Sequence, residues 1–159
     1  NVRKFLFESN AIESVYDEKS LDQAVIAWQY LIDEEKLTLE NILKTHRLLS
    51  EHSELKLSEK GHFRTQQVWV GGREGMRWEK LSLAMEQWIV NVNDLIKNKT
   101  NKDSEEFLVD IIQKQHVEFE RIHPFLDFNG REGRLLMNWT RIKVGLPILV
   151  IYEIEKQKY

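Results

Sequence analysis

With 159 residues, a net charge of −3 and no cysteine, the chain excludes several classes at once. It lacks the basic balance of a nucleic-acid surface, cannot form disulfides or thiolate metal centres, and has neither a membrane-length apolar run nor a visible signal peptide. Hydrophobic residues at 42% and charged residues at 31% fit one soluble globular domain, expected in the cytoplasm. The chain opens on Asn1 rather than Met, so a fragment of a longer protein is a standing expectation.

Residues 5–17 read as a short helix with Phe5, Ala11, Ile12 and Val15 as its apolar positions. A second helix is expected from Ser20, with Gln23 completing a capping box and Leu21, Ala24, Val25, Trp28, Leu31 and Ile32 forming a 3.6-residue stripe. A third, capped at Thr38, carries Leu39, Ile42, Leu43, His46 and Leu49 before a polar loop over 53–60. Phe63 to Val70, closed by Gly71-Gly72, is the one convincing β candidate. The helical stripe returns from Trp78 to Leu95. After a polar loop it resumes at Ser104 and reaches Ile122, then again from near Gly130 to Val144, where Gly145-Leu146-Pro147 stops it. Ile148 to Ile151 is an apolar cover for the core, and Glu153 to Tyr159 a charged tail. The fold class is mainly α: a bundle of about seven or eight helices with one short hairpin at 63–72.

One stretch concentrates chemistry: His123-Pro124-Phe125-Leu126-Asp127-Phe128-Asn129-Gly130-Arg131-Glu132-Gly133-Arg134. Pro124 ends one helix and Asp127 to Gly130 begins the next, and the unpaired N–H groups and dipole of a helix N-terminus attract anions. Arg131 and Arg134 share a face of that first turn and suit phosphates through planar paired donors. His123 is the candidate general base, against the plainer reading of a histidine capping a helix C-terminus. Asp127 is a candidate Mg²⁺ ligand or an N-cap. Asn129 and the N–H groups of Gly130 and Arg131 suit a phosphoryl oxyanion, and Gly133 is grouped with the nucleotide-binding set. His116 and His46 read as structural histidines, and His52 and His62 as surface or loop residues.

This stretch resembles the signature of the Fic family, H-P-F-x-D-G-N-G-R-x-x-R, at His123, Pro124, Phe125, Asp127, Asn129, Gly130, Arg131 and Arg134, with Phe128 where the family usually has glycine. Gly61 to Gly72 resembles the family's flap, and Ser9-Asn10-Ala11-Ile12-Glu13-Ser14 its inhibitory motif [ST]-x-x-x-E-[GN], with serine in the last place. The resemblance implies a single Fic domain over 1–159, with an inhibitory helix in 1–18, a flap in 61–72 and the catalytic signature in 123–134. It implies a protein adenylyltransferase. AMP passes from ATP to a Ser, Thr or Tyr hydroxyl of a target protein, or of the chain itself, with His123 as base and Mg²⁺ on Asp127. The flap residues Arg64, Thr65, Gln66, Gln67, Val68 and Trp69 would dock the target as an added strand. Glu13, with Ser9 at the matching offset, would pair with Arg134 and block the productive γ-phosphate pose. Related Doc toxins carry lysine at the place of Gly130 and transfer phosphate, so Gly130 favours nucleotidyl transfer; they also carry alanine at the place of Phe128. Two other outcomes follow from the same resemblance: a hydrolase that removes AMP with Glu13 placing a water, or a degenerate fold, with Phe128 as the lesion, that only binds nucleotide or protein. The residues read neither the oligomeric state nor the target.

Overall fold

Local capping chemistry sets most of the helix starts in the computed structural model, which describes residues 1–158. Helix α1 (Val2–Ile12) begins where the Asn1 side chain accepts from the Lys4 N–H at 3.1 Å. Helix α2 (Glu18–Ile32) is capped by Asp17, which accepts from the Ser20 N–H. Helix α3 (Leu39–Ser50) opens with a reciprocal capping box between Thr38 and Asn41. A 3₁₀ turn (Trp78–Lys80) leads into α4 (Leu81–Asn98), and Ser104 caps α5 (Glu105–Ile122) through the Phe107 N–H. Helix α6 is Asn129–Lys143, and a 3₁₀ stretch (Glu153–Lys158) follows in the expected charged tail, whose last residue, Tyr159, lies outside the described residues. The described residues thus hold six α-helices and two 3₁₀ segments beside one two-stranded hairpin, the mainly α architecture expected.

Three elements depart from expectation, each for a physical reason, and α4 also runs past the expected Leu95 to Asn98. α1 starts three residues earlier than residue 5 and stops at Ile12, because Ser14 takes a left-handed backbone (φ 59°). There the Val15 N–H bonds to Asn10 O and the Ser14 N–H to Ala11 O, the paired closure of a Schellman stop. α2 starts before Ser20, because Asp17 is a better-placed acceptor than the serine itself. The hairpin is shorter and later than 63–72: β1 (Trp69–Val70) pairs antiparallel with β2 (Arg73–Glu74), Trp69 opposite Glu74, around Gly71 and Gly72, both at positive φ. Residues before it are tied elsewhere, since the Arg64 N–H bonds to Pro124 O and Phe63 packs on Phe125.

Helix α6 runs through the middle of the molecule, touching each of α1 to α5. Residues 131–141 are all buried although many are polar. Their polar groups mostly find partners: Asn138 exchanges two hydrogen bonds with the Leu149 backbone, and the Thr140 hydroxyl donates to Leu136 O. The main core holds Phe5, Trp28, Leu31, Met85, Trp88, Phe119, Phe125 and Trp139. A second cluster of Leu108, Ile112, Met137, Val144, Leu146 and Ile151 seals the other side of α6, with Ile151 realising the apolar cover read from the sequence. Among the described residues, no helix is long and apolar enough to cross a membrane.

Candidate active site

The end of α5 and the start of α6 are joined by a turn that the core holds from below. Phe125 is fully buried and stacks on His46 of α3, with ring centroids 3.8 Å apart and 8° between planes. The Gly61 N–H donates to His46 Nδ1 at 2.9 Å, which leaves the proton on Nε2 to donate to Asp127 O at 3.0 Å. Burial lowers the His46 pKa to about 4, so this neutral bridge persists through ordinary pH. The Asn129 side chain braces the turn by accepting from the Phe125 N–H (2.9 Å) and donating to Phe125 O (2.7 Å). The Asn129 amide therefore closes the loop through its oxygen and one of its two N–H groups, a structural role beside the expected one.

His123 is the C-cap of α5 in the left-handed region (φ 51°), and its carbonyl accepts from Arg64 Nε at 2.7 Å. Burial, then the Arg64 charge, lower the His123 pKa, so the ring is neutral and able to accept a proton at neutral pH. Phe128 caps α6, also left-handed (φ 73°), with no side-chain cap on the helix, so the N–H groups of Gly130 and Arg131 stand free for an outside anion. Asp127 is not the N-cap; its Oδ1 accepts from the adjacent Phe128 N–H at 2.7 Å, and its side chain stays 62% exposed. Among the described residues no group of three or more His, Cys, Asp or Glu gathers to hold a metal. One exposed carboxylate fits Mg²⁺ of the kind that completes its shell with phosphate oxygens and water.

Arg131 lies over the Phe128 ring, its guanidinium carbon 3.7 Å from the centroid, with Nη2 3.7 Å from Asp127 Oδ1. Arg134 donates from Nε to Ser9 Oγ and from Nη2 to Ser9 O, both at 2.9 Å, while Glu13 Oε1 stands 3.9 Å from Nη2. The structure therefore brings the N-terminal motif onto the second arginine of the signature. Glu13 is the C-cap of α1, and the left-handed Ser14 after it explains why glycine or asparagine suits the motif's last place. Among the described residues the three non-glycine residues with positive φ, Ser14, His123 and Phe128, all fall in these motifs.

Two further expectations are corrected. Arg64 is 3% exposed and donates to the carbonyls of His123, Gln66, Met76 and Ile122, so it clamps the root of the hairpin to the end of α5 and does not present its guanidinium to solvent. Thr65, Gln66, Gln67 and Trp69 are exposed and Val68 is half-buried against Gly75. Gly133 faces α5 and not the nucleotide side: a Cβ there would meet Glu120 Oε1 at 2.6 Å and Phe119 Cδ1 at 3.1 Å. Glu120 itself was missed. Burial raises its pKa to about 7 against the opposing pull of Arg134, and its Oε1 lies 3.9 Å from His116 Nε2. His116, lowered to about 4 by burial and by Arg134, is neutral, so the two do not form an ion pair near neutral pH. The available signal was the four-residue spacing of His116 and Glu120 on α5, one turn before His123.

The sequence is 32% identical over 132 residues to "Protein adenylyltransferase Fic" of Drosophila ananassae, covering 81% of this chain and 24% of that protein. The same-named protein of Drosophila grimshawi is 32% identical over 129 residues, covering 81% and 25%. The matched part of the chain thus spans about a quarter of the length of these relatives. Among solved structures, a Fic-domain-containing signalling protein from Bacteroides thetaiotaomicron superposes with a TM-score of 0.79 at 20% identity, covering 99% of this chain and 68% of the other. Fic-1 from C. elegans (residues 134–508, E274G) gives 0.71 at 17% identity, covering 99% and 53%. These two likenesses speak to the fold. The sequence model described as Fic/DOC family matches residues 36–140, more than half of the chain, and the chain belongs to the Fic/DOC family.

Proposed function

We propose that the protein is an adenylyltransferase that moves AMP from ATP onto a Ser, Thr or Tyr hydroxyl of a target protein, restrained by Glu13. The observation that carries this reading is a neutral, half-buried histidine one short turn from an uncapped helix N-terminus flanked by two arginines. The N–H groups of Gly130 and Arg131, with the guanidinium of Arg131 and, once freed, of Arg134, hold the phosphate chain. Mg²⁺, when bound on Asp127, neutralises phosphate charge. His123 takes the proton of the incoming hydroxyl. The hydroxyl oxygen bonds to the α-phosphorus, the bond from that phosphorus to the bridging oxygen breaks, and pyrophosphate leaves. The exposed edge at Thr65 to Trp69 offers backbone groups to an extended segment of the target, or of another copy of the chain. A chain without cysteine suits targets in the cytoplasm.

The test is ATP labelled in either the α- or the γ-phosphate, incubated with lysate and with wild type, Glu13→Gly or Glu13→Gly/His123→Ala. Transfer of α-label by Glu13→Gly and its loss by at least about 100-fold on removing His123 is the expected result. Transfer of γ-label would assign phosphotransfer instead. Release of AMP from a premodified target by wild type but not by Glu13→Gly would assign hydrolysis.

A further inference from the structure

We infer that Phe128, the residue that departs from the signature, is a positioning residue for Arg131: its ring is the platform that aims the guanidinium at the phosphate chain. The inference rests on the transfer reading above and adds a determinant of phosphate affinity to it. Arg131 is 8% exposed, yet its Nε makes no hydrogen bond among the described residues; its nearest carboxylate, Asp127 Oδ1, is 3.7 Å away, too far for a strong hydrogen bond, and Glu13 and Asp17 act on its charge from further off. The closest organised contact of the guanidinium is the Phe128 ring face, 3.7 Å from its carbon to the ring centroid, well inside the range of cation–π attraction.

The ring is itself fixed. Phe128 is 8% exposed, part of the main core, and presents to the edge of His46 at 6.0 Å and 87°. His46 is held at both nitrogens and stacks on Phe125, so one run of contacts leads from the flap root at Gly61, through His46 and Phe128, to Arg131. Phe128 keeps this place despite a left-handed backbone (φ 73°) that an aromatic residue adopts at a cost. Glycine would relieve the backbone, but it would remove the ring under the guanidinium and leave Arg131 held by the long Asp127 contact and by the more distant Glu13 and Asp17 charges. Phe128 is therefore a replacement device for holding the arginine and not a lesion of the site.

The test is calorimetric affinity for ATP, ADP and adenosine, with melting temperature as a folding control, for wild type, Phe128→Gly, Phe128→Leu, and chains carrying mono-, tri- and pentafluorophenylalanine at 128. Fluorination drains the negative ring face while largely keeping its shape; melting temperature registers any loosening of the ring against His46, and adenosine affinity any change in the shape of the pocket. The expected result is ATP and ADP affinity that falls stepwise with fluorine number, and by roughly three- to thirtyfold in Phe128→Leu, with adenosine unchanged. Folded Phe128→Leu or fluorinated chains that bind ATP as wild type does would overturn the inference and leave the transfer reading standing. Equal weakening of adenosine would overturn it too, since the ring would then shape the pocket as a whole. A wild type that binds adenosine but gains nothing from phosphates would overturn both.

Discussion

Arg64 donates from Nε to the carbonyl oxygen of His123 at 2.7 Å, across 59 residues of sequence. The same side chain reaches Gln66 O and Met76 O on the two sides of the hairpin, so one buried cation fixes the hairpin to the end of α5, at the proposed base. Arg64→Ala would leave four carbonyls without their charged donor, and hydrogen bonds to charged groups contribute about 1.5–3 kcal/mol each. The expected loss is at least about 3 kcal/mol in urea unfolding and about 100-fold in transfer, since the base is displaced. Arg64→Lys restores little, because an ammonium cannot span the same fork. Arg64 also helps depress the His123 pKa. A base must be neutral to act, so the acid limb of kcat/KM lies below the ordinary 6.5 in wild type and moves up toward it in whatever folded fraction of Arg64→Ala remains.

Stability against pH is set by buried groups that pull in opposite senses. His46 and His116 have folded pKa values of about 4 against 6.5. The unfolded chain binds their protons more readily between those values, so each costs about 3 kcal/mol of stability as pH falls from 6.5 to 4. Glu120 is raised to about 7 from 4.5, and fully buried Glu132, whose oxygens have no protein partner, is raised well above 4.5 by burial alone. Their contribution is present below 4.5 and is lost as pH rises from there. The wild-type profile between pH 4.5 and 6.5 is therefore shallow. The Glu120→Gln/Glu132→Gln variant removes the falling contribution, so its urea midpoint should climb steeply from pH 4 to 6.5 and then level off. A wild-type-like profile in that variant would show that the carboxyls do not titrate as assigned.

What was legible in the sequence was mostly local. Thr38 and Ser104 announce their helices because a cap needs only the N–H groups three residues on. The signature and the Ser9-to-Ser14 motif are likewise contiguous runs, and the structure joins them through Ser9 and Arg134, 125 residues apart. The misread residues are those whose partners are distant. Arg64 sits in a β-like run and looks surface-bound until the backbone of residues 122–124 arrives beside it. Gly133 reads as phosphate-loop glycine, but its missing Cβ makes room for α5. Periodicity described α6 as amphipathic, whereas neighbours on every side bury its polar face as well.

Ser14 offers a graded handle on the proposed inhibitory role of α1. It occupies the left-handed C′ position at φ 59° that glycine or asparagine adopts more readily. Ser14→Gly should stabilise the end of α1 by about 0.5–1 kcal/mol, net of the glycine's extra unfolded freedom. Firmer placement of the preceding Glu13 predicts slower transfer, by about two- to fivefold for that energy. Faster transfer with a raised melting temperature would separate the stability of α1 from inhibition.

The Glu13–Arg134 pair makes the sharpest prediction. The guanidinium is 4% exposed in its side chain and already holds the Ser9 hydroxyl and carbonyl, with the Glu13 carboxylate at 3.9 Å and 35% exposed. A contact of that length is a weak ion pair, so inhibition does not depend on a strong bond. It depends on negative charge standing where a γ-phosphate needs positive charge, and on Ser9 keeping Arg134 turned toward α1. On the proposed reading ATP would then bind through the α6 N-terminus and Arg131 with its α-phosphorus out of line, and misalignment of this kind costs about 100-fold. Glu13→Gly removes the charge and should raise target or self labelling by tenfold or more. Ser9→Ala removes one of the two Ser9 contacts, leaves the charge, and should raise it by less than Glu13→Gly does. Arg134→Ala should not activate, because it deletes the phosphate contact together with the inhibitory one, and Glu13→Gly/Arg134→Ala should be no more active than Arg134→Ala. That non-additivity is expected of groups acting through one contact. Labelling is read from α-labelled ATP at matched protein concentration; if Ser9→Ala activates as strongly as Glu13→Gly, the orientation of Arg134 rather than the carboxylate's charge sets the restraint.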